Sequence, residues 1–154
     1  QMGVTTTNYT GRSVDVALFG VSQGGAVDMG LRPTALAVAG KLKASQNYIR
    51  ALLSAAGERK EDPEFGSSMV GDFKSSNISF PVQIEQAFAI ANLSVLKWMK
   101  DRYGSSVPAD ERVDSTKLTN YSIEPGGKIS LNIQLTTSAG ESVAFCLPVV
   151  WSRT

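Results

Sequence analysis

The carboxylates Glu58, Glu61, Asp62 and Glu64 fall in one short run. Paired carboxyl groups are what glycoside hydrolysis requires: one stays protonated as the acid while the other is ionised as nucleophile or base. That division needs one of the pair to lie in an apolar pocket. Here Arg59 and Lys60 stand among the acids, and Gly57, Pro63 and Gly66 mark turns. Solvated carboxylates with cationic neighbours stay ionised. The run therefore reads as a solvated or partner-facing charge cluster, and no catalytic residue is assigned.

The remaining chemical inventory is short. The chain has no histidine, which removes the commonest general base and metal ligand and any Ser-His or Cys-His nucleophile pair. Cys146 is the one cysteine, so an internal disulfide and a cysteine metal cluster are both excluded. In its alternating apolar run it reads as a buried small hydrophobe. Gly24-Gly25 and Gly126-Gly127 lack the Lys-Ser/Thr ending of a phosphate loop and read as turns. Neither cofactor nor metal is expected. A net charge of +1 gives no broad basic footprint for nucleic acid or anionic membrane.

These residues need a scaffold, and 154 residues with 42% hydrophobic and 19% charged content suffice for a folded domain with its own core. No apolar run approaches the roughly 20 residues that span a bilayer. The amino end lacks the basic-then-apolar pattern of a secretory signal. A soluble protein is expected, alone or within a larger soluble assembly.

Residues 1–31 are rich in Thr, Gly, Ser and Gln and read as an extended arm, with a single weak strand over residues 13–19. The core domain, residues 32–154, opens at Arg32-Pro33-Thr34 with an amphipathic helix running to Gly57. Val38, Leu42, Ile49, Leu52, Leu53 and Ala56 form its buried stripe; Lys41, Lys43, Gln46, Asn47 and Arg50 mostly turn away. Residues 58–73 read as short extended pieces and turns. A second helix starts at Pro81, a good first helical residue, and ends near Tyr103-Gly104. Its stripe is Ile84, Phe88, Ala91, Val95, Trp98 and Met99. Trp98 and Trp151 read as core residues in preference to interface anchors.

The carboxyl-terminal third gives the clearest β signal. Ile129, Leu131, Ile133 and Leu135 alternate with Ser130, Asn132, Gln134 and Thr136, the pattern of a half-buried strand. Turn sequences flank it at residues 124–127 and 138–141. Residues 118–123 supply one neighbouring strand, and residues 143–151, more uniformly apolar, a more buried one. The expected fold class is α+β: two amphipathic helices packed on a small antiparallel β-meander, with an extended N-terminal arm.

The stretch from Leu52-Leu53 through Gly57-Glu58-Arg59 to Pro63-Glu64-Phe65-Gly66-Ser67 resembles the motif region of the gene-twenty-five-like baseplate wedge family of contractile-tailed bacteriophages, historically named lysozyme-like. The resemblance extends to a second helix after the motif and antiparallel strands at the carboxyl end. Thr10-Gly11-Arg12-Ser13-Val14-Asp15-Val16 is similar to a leader seen in some baseplate members. The Glu-Pro-Arg tripeptide that many members carry after the second helix has no counterpart; residues 95–100 run on as helix.

The resemblance implies a structural subunit of a tail baseplate, located in the virion and assembled in the host cytoplasm. It would join hub or tube to wedge proteins and help initiate the sheath. Its partners would be wedge and hub proteins with tail tube and sheath subunits, several copies forming a ring, and neither nucleic acid nor membrane. Glu58, Arg59, Glu64, Phe65 and Gly66 are the candidate partner contacts. The competing expectations are a small glycan hydrolase using carboxylates of the 58–64 loop, or another tail adaptor or terminator subunit.

Overall fold

The computed structural model describes residues 15–16, 19–21, 27–29, 37–38, 40–75, 81–104, 106–124 and 128–150. Four short strands come first: β1 (Asp15–Val16), β2 (Phe19–Val21), β3 (Val27–Met29) and β4 (Ala37–Val38). Three helices follow, α1 (Gly40–Leu53), α2 (Met69–Ser75) and α3 (Pro81–Tyr103). A 3₁₀ turn at Ala109–Glu111 leads into β5 (Val113–Glu124), β6 (Lys128–Thr137) and β7 (Ser142–Val150). The class is α+β, as expected.

The β5-β6-β7 sheet is antiparallel with β6 in the middle. The alternation read in β6 is realised: Ile129, Leu131, Ile133 and Leu135 are buried on one face. Each such side chain contributes about 1.5–3 kcal/mol by leaving water. The helices supply the opposing layer. Ile84, Phe88, Ala91, Val95, Trp98 and Met99, all of the stripe read for α3, join one cluster with Tyr48, Ile49 and Leu52 of α1 and with Phe145, Leu147 and Val149 of β7. Met69 and Phe73 of α2 complete it.

Several expectations are corrected. The first helix starts at Gly40, and Val38, expected on its stripe, pairs as a strand residue with Asp15. Arg32-Pro33-Thr34 lie outside the described residues. The start is fixed from far away in sequence: the Gly40 N–H donates to Glu111 Oε1 (3.4 Å), and Lys43 Nζ stands 3.7 Å from Oε2. A carboxylate at a helix N-terminus meets its unpaired amides and its dipole. Gln46, expected to face outward, is buried. The strand read over residues 13–19 is two strands in different two-stranded sheets, β1 with β4 and β2 with β3.

Residues 69–73, read as extended or turn, lie in α2 (Met69–Ser75). Ser67 caps it: its hydroxyl accepts from the Met69 N–H (3.2 Å) and donates to the Leu52 carbonyl (2.6 Å). The strand expected over residues 118–123 extends to Val113–Glu124. Its half-buried residues Val113, Thr116, Leu118 and Tyr121 are spaced three, two and three apart because register shifts fall at Val113/Ser115 and Leu118/Asn120. Each inserted residue restores the inward face after breaking the period of two. Finally, β7 is one-sided. Phe145, Leu147 and Val149 are buried, whereas Ala144 is exposed and Cys146 only half-buried, because β7, like β6, packs a single face on the core shared with the helices. Trp151 and the glycine pairs at 24–25 and 126–127 lie outside the described residues.

Candidate functional site

The charged run hangs between α1 and α2 as a closed loop. Ala55 and Ser67 form a parallel β-bridge. The Ser67 N–H donates to the Ser54 carbonyl (2.8 Å), and the Ala56 N–H donates to the Ser67 carbonyl (3.3 Å). Further in, the Gly57 N–H donates to the Pro63 carbonyl (3.1 Å) and the Phe65 N–H to the Asp62 carbonyl (3.1 Å). Both feet of the loop are thus tied by backbone hydrogen bonds, the form of a compact Ω-type loop.

Gly66 makes the closure possible. Its φ is +107°, and a Cβ there would stand 2.7 Å from the carbonyl carbon and oxygen of Ala55. Only a residue without a side chain admits that approach.

The inside of the loop is aromatic. Phe65 is buried and meets Trp98 of α3 edge-on, ring centroids 4.9 Å apart; Trp98 meets Tyr103 edge-on at 5.8 Å. The Trp98 indole N–H donates to both oxygens of Asp62, at 3.0 and 3.2 Å. The Arg59 guanidinium lies over the Phe65 ring, 3.8 Å from its centroid, a cation–π contact worth about 0.5–1 kcal/mol at an exposed site. Asp62 and Trp98 therefore fasten the loop to α3, while Arg59 covers its aromatic base.

The sequence candidates separate accordingly. Glu58, Arg59 and Glu64 are exposed on the loop, together with Lys60 and Glu61; Phe65 and Gly66 are buried. Glu58 and Glu64 share the loop, but neither lies in an apolar pocket. Residue reading did not join Arg50, Arg102 and Tyr103 to this loop, yet with Arg59, Asp62 and Trp98 they line a depression of about 100 Å³. The available signal was positional: Arg50 and Arg102 occupy the last turns of α1 and α3, and both helices end beside the loop.

A second surface lies along α3, where Val82, Ile90 and Leu93 are exposed. Among the described residues no group of His, Cys, Asp and Glu is arranged to hold a metal ion, and no helix is long and apolar enough to cross a membrane. No protein-family model matches the sequence, and no curated protein is significantly similar to it.

Proposed function

We propose that this chain is a structural subunit of a contractile-tail baseplate, joining hub or tube to wedge proteins and helping to initiate the sheath. The observation that carries this reading is the 55–67 loop. It is a lobe of exposed charge on a base immobilised by backbone bonds, an aromatic cluster and the Asp62–Trp98 hydrogen bonds. Such a lobe meets a neighbour in one fixed orientation, and its charges set register more than affinity. The sheet ends in two strand edges, β5 and β7, at which a neighbour's strand adds by β-augmentation. The glycan-hydrolase alternative draws no support from Glu58 and Glu64, because both carboxyl groups are exposed and the acid of such a pair needs an apolar setting.

Electron cryomicroscopy of isolated tails tests the reading. The chain is expected as a ring of copies where tube meets sheath. Its absence from tails overturns the proposal, as does peptidoglycan hydrolysis by the purified protein that is lost in both Glu58→Gln and Glu64→Gln.

A further inference from the structure

We infer that the depression beside the loop is a receptor for one carboxylate side chain of a neighbouring protein, an Asp or Glu flanked by basic residues. This rests on the reading of the loop as a partner surface. Arg50, Arg59 and Arg102 converge on the depression from α1, the loop and α3, opposed by the single carboxylate of Asp62. The Trp98 indole N–H donates to both oxygens of Asp62, which fixes that carboxylate in the wall, where its one charge offsets a part of the positive charge in the lining. Among the described residues no ion pair joins Arg59 or Arg102 to a carboxylate. The Arg59 guanidinium carbon stands 3.8 Å from the Phe65 ring centroid, a contact that restrains the guanidinium before any ligand arrives, while its N–H donors serve an acceptor.

Size and rim select the ligand. About 100 Å³ gives room for a carboxylate side chain. Planar guanidinium groups match a carboxylate with paired N–H donors. The exposed acids Glu58, Glu61 and Glu64 on the same loop repel a polyanion, so a nucleic-acid strand or an anionic bilayer is disfavoured. The same acids attract basic residues on either side of the inserted carboxylate. The complementary partner segment is therefore basic–acidic–basic.

The test titrates the full-length, isotope-labelled protein with a capped pentapeptide carrying one glutamate between two lysines, followed by NMR. Saturable shifts are expected at the Arg59 and Arg102 Nε–H signals and at the Trp98 indole N–H. The glutamine analogue of the peptide should bind at least tenfold more weakly. The Arg59→Gln/Arg102→Gln double variant should lose at least tenfold in affinity with its circular dichroism unchanged, because both side chains are exposed. Affinity should fall as salt rises.

Unchanged spectra, equal binding of the glutamine analogue, or tighter binding of inorganic phosphate or a single-stranded oligonucleotide overturns the inference. Failure of peptide binding by a chain that still occupies tail rings removes the carboxylate receptor alone. Peptide binding by a chain absent from tails removes only the baseplate reading.

Discussion

At the scale of single residues, Gly66 carries the largest local constraint described. Two separate conditions meet there: a left-handed φ of +107° and backbone atoms 2.7 Å from the position of a Cβ. Gly57, at φ +82°, meets the first condition only, with nothing within 4 Å of its Cβ position. The two glycines therefore separate strain from collision. Gly57→Ala is expected to cost about 1 kcal/mol, the conformational term alone. Gly66→Ala should cost at least about 2 kcal/mol more, because the backbone of residues 54–55 must move as well. Urea denaturation of both variants measures the difference; equal losses would show that the Ala55 approach is not a constraint on this loop.

At the scale of elements, the beginnings of α1 and α2 show two kinds of start signal. Ser67 caps α2 from two residues away, a local device of the sort that serine commonly provides. Glu111 performs the equivalent service for α1 from the 3₁₀ turn, 71 residues on in the chain. Glu111→Gln keeps the shape and removes the charge facing the helix amides and Lys43. The variant should be about 1 kcal/mol less stable, with faster amide exchange confined to residues 40–43. Unchanged exchange there would mean that the carboxylate does not hold the start of α1. The bulges of β5 are another element-scale effect. They explain why its inward residues Val113, Thr116, Leu118 and Tyr121 lack the clean alternation seen in β6.

At the scale of the whole molecule, a small, partly buried polar network joins the layers. The Tyr48 hydroxyl of α1 donates to Asn92 Oδ1 of α3 (2.7 Å), and the Thr116 hydroxyl of β5 donates to the same oxygen. Burial pushes the Tyr48 phenol well above its ordinary value, and the hydrogen bond with Thr116 offsets this only in part. The unfolded chain therefore releases this proton first, near pH ~10. Below that pH the group adds no pH dependence. Above it stability falls, by about 1.4 kcal/mol per pH unit from this group, until the folded phenol also ionises. Tyr48→Phe should be about 1 kcal/mol less stable at neutral pH and show a shallower decline above pH ~10. Denaturation midpoints at neutral and alkaline pH test both effects; identical alkaline slopes would exclude Tyr48 as their source.

Features that depend on near neighbours along the chain could be read directly from the residues. The period of two in β6 and the stripe of α3 were legible because each is a repeated local pattern exposed to one core. The closed form of the charged loop was legible in part, through Gly57, Pro63 and Gly66. The rest depends on contacts between segments far apart in the chain. The start of α1 follows from a carboxylate distant in the chain, α2 from a serine hydroxyl shared with the end of α1, and the one-sidedness of β7 from the packing of one sheet face on the helices. The run of acids at residues 58–64 suggested chemistry when read alone. Folding sets Asp62 against an indole, leaves Glu58 and Glu64 exposed, and gathers Arg50, Arg59 and Arg102 from three elements around one depression. Spacing along a chain cannot encode that convergence, because it exists only once α1, the loop and α3 have packed.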